Sequence, residues 1–232
     1  MNELLEISLY GFFSGITVFI GGVLAKLYSD KISKETNHFL VAFTGGIIIS
    51  AISFVLIPKG MESLSLVPII TLFILGGIVF FLIDRAIESK GGDLSFLFAM
   101  LLDYLPEAVV LGATFVADKT TGILLAFFIA LQNLPESFNS YLNLRKSGIS
   151  GRKSLLILAL LSFAGVVGAL LGDLLLSDKP QITAGVMIFA SSGILYLIFQ
   201  DIAPNSKMKN SWVPALGVNF GFLMGIIGER LI

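Results

Sequence analysis

The chain has 232 residues, of which 56% are hydrophobic and 13% charged, with a formal net charge of −1 and no cysteine. Soluble domains carry roughly 25% charged residues, so this composition belongs in lipid. The near-neutral balance excludes a basic surface for nucleic acid, and the missing cysteines exclude disulfides, thiolate metal sites and cysteine nucleophiles.

Apolar runs of the length needed to cross a hydrocarbon core, about 20 residues each, recur at 4–28, 37–57, 66–84, 94–116, 121–143, 154–176, 181–203 and 212–230. The expectation is an all-α polytopic membrane protein with about eight transmembrane helices, one transmembrane domain over 1–232, multi-pass in the cell membrane. The first run carries Glu3 and Glu6 and no basic stretch before them, so it reads as a helix and not as a removable signal peptide. Of the 15 lysines and arginines, eleven fall in one set of alternate loops, among them Lys31, Lys90, Arg145 and Lys153. The other set holds only Lys59, Lys119, Lys179 and Arg230. By the positive-inside rule both termini face outside. Thr44 to Met61 and Ser191 to Met208 are loosely alike and lie on helices of opposite direction, the trace expected of an inverted repeat.

The fourth and fifth spans carry a sharper likeness, Leu102-Asp103-Tyr104-Leu105-Pro106-Glu107 and Leu131-Gln132-Asn133-Leu134-Pro135-Glu136. In each, a polar side chain stands four residues before a glutamate, which puts the two on one helical face a turn apart. The proline between them removes a backbone hydrogen bond and frees the carbonyls of Leu102 and Leu131 as oxygen ligands. An ionisable residue at the centre of a membrane helix costs at least about 2.5 to 3.5 kcal/mol on insertion scales. Asp103, Glu107 and Glu136 are therefore expensive together, and no lysine or arginine lies at their depth. Their missing partner is either protons or a cation. On the fifth span, Glu136, Asn139, Ser140 and Asn143 continue at spacings of three and four toward Arg145, as an aqueous path to the cytosol would. Asp84, Asp173, Asp201 and Glu229 lie near span ends, where a carboxylate reaches the headgroups, and read as interfacial. Ser50, Ser53, Gln200 and Asn219 sit deeper. His38 reads as a solvated interface residue.

These motifs resemble the ZIP family of divalent metal transporters, whose fourth and fifth helices carry a His-Asn-x-Pro-Glu type motif and a related Pro-Glu or His-Glu motif. Phe80 to Arg85, and Gly193 leading to Pro204, also look like the family's segments. The resemblance implies a primary metal site of Asp103, Glu107, Gln132 and Glu136. Asp103 stands where the family usually has histidine. Tyr104 and Asn133 replace residues that build a second site in binuclear members, and no acid stands near Gly165 on the sixth span. An all-oxygen donor set lacks the imidazole or thiolate that zinc sites favour, so Mn(II) and Fe(II) rank beside Zn(II). The function so implied is uptake of a divalent metal ion toward the cytoplasm, without enzyme activity or prosthetic group. The ion and the lipid bilayer are the expected partners, with a homodimer among the assemblies left open. Three other readings fit the residues: a proton-coupled carrier, a non-transporting metal-sensing homologue and an intramembrane carboxylate hydrolase.

Overall fold

The structure is a computed structural model that describes residues 2–90 and 95–232. The expected start of the fourth span at residue 94 lies outside them, as does the side chain of Lys90. Among the described residues eight helical rods follow one another: α1 Glu3–Tyr28, α2 Lys34–Ser63, α3 Leu66–Lys90, α4 Ser95–Phe115, α5 Lys119–Lys146, α6 Gly151–Leu176, α7 Pro180–Ser206 and α8 Leu216–Leu231. Six of these helices are long and apolar enough to cross a membrane by length and composition. The other two are α4, which has 21 residues and carries Asp103 and Glu107, and α8, which has 16. The chain is an all-α polytopic membrane protein, and because Glu6 near the start of α1 meets Lys119 while Gly228 near the end of α8 packs on Leu124 and Phe127, both termini lie at the end of the bundle where α5 begins.

Local chemistry sets the helix ends. Asn2, Ser33, Asp118 and Ser150 each accept a hydrogen bond from a backbone N–H in the first turn of α1, α2, α5 and α6, which satisfies a donor the helix cannot pair internally. Glu3 and Glu6 stand in the first turn of α1 and complement its dipole. Pro180 opens α7, where its missing N–H costs nothing.

Polarity runs inward, as a lipid solvent demands. α3 is the most apolar of the long spans and the least buried, while α5 is the least apolar and the most buried. Leu66, Leu174 and Phe199 stand on the outer surface, while Ser14, Asp103, Gln132 and Asn133 are buried. α1 packs along α5, α4 along α6, α2 along α8 and α3 along α7, with α2 also meeting α5 and α4 meeting α7. Exchanging α1 with α6, α2 with α7, α3 with α8 and α4 with α5 reproduces that list, as an inverted repeat requires. Both α2 and α7 contain a π-helical turn, Ile52–Leu56 and Ile198–Ile202, followed at the same distance by Pro58 and Pro204. The wider turn absorbs the carbonyl that each proline leaves without a donor.

Without a hydrophobic force between helices in lipid, close approach must come from small residues. A Cβ at Gly21 on α1 would lie 2.2 Å from the Leu134 carbonyl oxygen on α5, and one at Gly112 on α4 would lie 1.7 Å from that of Ala169 on α6. At the end of the bundle that holds both termini, Lys59 on α2 reaches Asp118 in the α4–α5 turn at 3.0 Å, and Lys119 reaches Glu6.

Two predictions follow from this packing. Gly112→Leu overpacks the α4–α6 contact and costs about 1 to 3 kcal/mol, lowering the thermal midpoint in detergent by several degrees, whereas Gly185→Ala, which meets only the end of Leu72 at 3.3 Å, leaves it unchanged. Burial pushes the Asp118 carboxyl up, but the Thr121 hydroxyl and N–H and the Lys59 ammonium outweigh it and hold the carboxyl below its ordinary value of 3.8. A carboxyl lowered on folding stabilises the fold above that ordinary value and loses its contribution as pH falls through the lowered one. Asp118→Asn is therefore less stable than the parent at pH 7, by no more than about 1 kcal/mol for so exposed a pair, and the gap in midpoint closes on acidification below the carboxylate range.

Candidate metal site

α4 and α5 run side by side at the centre of the molecule, each continuous through its internal proline, Pro106 and Pro135. This brings the two likenesses into register. Asp103, Glu107 and Gln132 are 4%, 1% and 0% exposed, and Glu136 is half-buried. Gln132 Nε2 donates to Glu107 Oε2 across the helix interface. Asp103 and Glu136 both lie within electrostatic range of Glu107.

What these groups lack is as informative as what they have. Asp103 Oδ1, Glu107 Oε1, Gln132 Oε1 and Glu136 Oε2 are buried and accept no hydrogen bond. Native interiors seldom leave such atoms unmatched, and each costs about 1 to 3 kcal/mol or more when charged. Among the described residues the ion pairs join only Lys59 with Glu62, Lys59 with Asp118 and Lys119 with Glu6, so no cationic side chain pairs with these acids. Nor, among the described residues, do three His, Cys, Asp or Glu side chains already converge as a ready-made metal cage. The acids stand spaced along one interface with an amide between them.

The neighbouring polar residues divide by direction. Asn133 turns to α1, where its Nδ2 donates to the Ser14 carbonyl at 3.2 Å while its Oδ1 has no partner. Ser137 one turn on donates to the Thr17 carbonyl, at 3.4 Å. Tyr104 is buried with its hydroxyl wedged between α1 and α6, 2.7 Å from where a Cβ at Gly15 would stand and 2.0 Å from one at Gly165. Asn139 donates to the Pro135 carbonyl of its own helix at 3.1 Å. Glu136, Asn139 and Asn143 form a half-buried stripe down α5 from the acids to Arg145. Ser50 and Ser53 bond only to carbonyls of their own helix, and His38 Nδ1 bonds the Asn205 carbonyl at 2.7 Å, tying the start of α2 to the end of α7.

Two acids read from the sequence as interfacial have neighbours inside the bundle. Asp201, in the π-helical turn of α7, is within electrostatic range of both Asp103 and Glu136. Asp84 is 2% exposed and accepts a hydrogen bond from the Tyr196 hydroxyl at 2.9 Å. The internal likeness held a signal for the first: the acid falls three residues before Pro204, where the matching position before Pro58 is the apolar Val55.

Gln132→Leu leaves Glu107 Oε2 without its donor and is expected to cost about 1 kcal/mol or more, read as an earlier unfolding transition in detergent. Asn139→Leu, which loses only a bond within its own helix, shifts the transition less. Equal shifts would mean that the α4–α5 bond contributes nothing special.

No protein-family model matches the chain. It is 32% identical over 147 residues to the zinc transporter GufA of Myxococcus xanthus, covering 60% of this chain and 58% of the relative. It is 23% identical over 131 residues to the zinc transporter zipt-7.2 of Caenorhabditis elegans, covering 54% of this chain and 28% of the relative. The chain thus matches less than two thirds of the length of either. Both relatives are named as transporters of zinc, and they support the resemblance to the ZIP family carried by the Pro-Glu repeats.

Proposed function

We propose that the protein is a divalent metal transporter of the ZIP type that moves its ion toward the cytoplasm through the carboxylate interface between α4 and α5. The single observation that carries this reading is the set of buried oxygens without partners on Asp103, Glu107, Gln132 and Glu136. Unmatched oxygens spaced along one helix interface without a protein cation are what a passing cation would satisfy. The relatives' names, transporters and not enzymes, agree with a role free of catalysis and put zinc first among the ions. The oxygen-only donor set extends the range to Mn(II) and Fe(II).

On this reading the ion sheds water for carboxylate oxygen. Gln132 holds Glu107 in place when the ion is absent and offers its own Oε1 when the ion arrives. Because the acids do not already form a cage, binding draws α4 and α5 together, and release lets them relax. The stripe of Glu136, Asn139 and Asn143 leads toward the basic loops that the charge asymmetry assigns to the cytosol. Two charges moving inward through 100 mV gain about 4.6 kcal/mol, enough to drive accumulation without a nucleotide. Tyr104 fills the space beside Gly165, so the reading is of one ion in the primary site and not two. The membrane assigned is the cell membrane, and the transmembrane unit of 1–232 acts as one domain.

The test is uptake of Zn(II), Mn(II) and Fe(II) into proteoliposomes holding the purified chain. The wild type is expected to accumulate at least one of these ions, and the Glu107→Gln, Glu136→Gln double variant to lose at least tenfold in rate while remaining folded. A folded wild type with no flux of any ion would sink the transport reading and favour a sensor or a proton carrier.

A further inference from the structure

On the side of α5 opposite Glu136, a crevice of about 390 Å³ opens between α1, α2 and α5. Its walls are apolar: Leu24 on α1, Leu40 and Phe43 on α2, and Leu134, Pro135 and Phe138 on α5. A dry apolar cavity does not hold water, since water there would find no hydrogen-bond partners. In a bilayer the filler at hand is an acyl chain. The mouth differs from the walls, for it carries Tyr28 and Lys31, both exposed, with the Lys31 ammonium 5.6 Å from the centre of the Tyr28 ring. Among the described residues no carboxylate lies within ion-pair distance of Lys31, neighbouring Asp30 included. Lys26 and Lys34 flank the same turn, which belongs to the loop set holding eleven of the 15 basic residues. A long lysine stem lying on an aromatic ring, with its charge at the rim of an apolar slot, is the arrangement that receives an anionic headgroup while its chain enters the slot.

We infer that this crevice is a binding site for an acidic phospholipid of the leaflet facing the basic loops, its acyl chain between α1, α2 and α5 and its phosphate on Lys31. The site lies at a seam, because α2 packs chiefly with α8 whereas α1 and α5 pack with each other. The occupant therefore touches the Pro135 turn from behind and α2 from the other side. This inference stands whether or not the chain carries metal.

The experiment uses the full chain in nanodiscs. As the chain has no cysteine, Leu40→Cys carries a single bimane label on the crevice wall, and quenching by chain-brominated phosphatidylglycerol is compared with quenching by equally brominated phosphatidylcholine. Phosphatidylglycerol is expected to half-quench at about a fivefold lower mole fraction, the preference that one lysine near the surface supplies. Adding Lys31→Glu abolishes the preference, whereas adding Lys153→Glu, on another basic loop, preserves it. Equal quenching by the two lipids, or a preference that survives Lys31→Glu, would overturn the proposal. In unlabelled protein, spin-labelled phosphatidylglycerol is expected to show an immobilised fraction that Lys31→Glu removes. Its absence in the folded parent would also overturn the proposal.

Discussion

Three carboxylates and one amide share a buried helix interface, and only one hydrogen bond between them, from Gln132 to Glu107, is made. Every other feature of the core can be understood as what holds that unbalanced arrangement in lipid. A charge at the middle of a membrane helix costs several kcal/mol, and a lone amide returns a fraction of it. The remainder must come from protons or from a cation that is not part of the chain. An interface that needs an outside charge to be complete suits a carrier better than a scaffold.

The scaffold around this interface is built for closeness. Gly21 lets α1 lie backbone to backbone on α5, and Gly112 does the same for α4 on α6, so both acid-bearing helices are gripped from outside by a partner helix. Asn133 and Ser137 add polar ties from α5 to α1. The acids can thus remain apart from each other without their helices drifting. The pairing of helices under a two-fold exchange gives α4 and α5 equivalent supports, which fits two nearly equivalent Pro-Glu turns. Where the symmetry fails, at Tyr104 against Asn133 and at Asp201 against Val55, the two halves take different chemistry.

Most of the fold was legible because lipid imposes a simple code. Runs of apolar residues ended by caps, prolines or basic clusters translate directly into rods, and the eight expected spans are helical over most of their described residues, with turns at Val116 and Phe163 and with a bend and a 3-10 turn over 212–215 before α8 begins. That Glu107 and Gln132 belong to one site was implied by the resemblance of the two Pro-Glu motifs to the ZIP family, and the bond between them joins the two helices. The π-helical turns were not legible, because Ile52–Leu56 and Ile198–Ile202 read as ordinary apolar helix, and the widening comes from a proline six residues past the start of each. Asp201 sits in the second of these turns, within electrostatic range of Asp103 and Glu136, a neighbourhood that its place near a span end does not reveal. The burial of Asp84 was not legible either, since its partner, the Tyr196 hydroxyl on α7, stands 112 residues away where no local pattern reveals it. Tyr104 stands where the resemblance puts a residue of a second site, and only the glycines facing it on α1 and α6 make it a wedge.

The central claim, that the unmatched oxygens between α4 and α5 receive a divalent cation, is tested most directly by anomalous diffraction from crystals grown with Zn(II) or Mn(II). The account predicts an anomalous peak between the two helices, in contact with Glu107 and Glu136 and lost in Glu107→Gln. A metal peak at Asp84 and Asp201 with none between α4 and α5, in crystals otherwise unchanged, would contradict it.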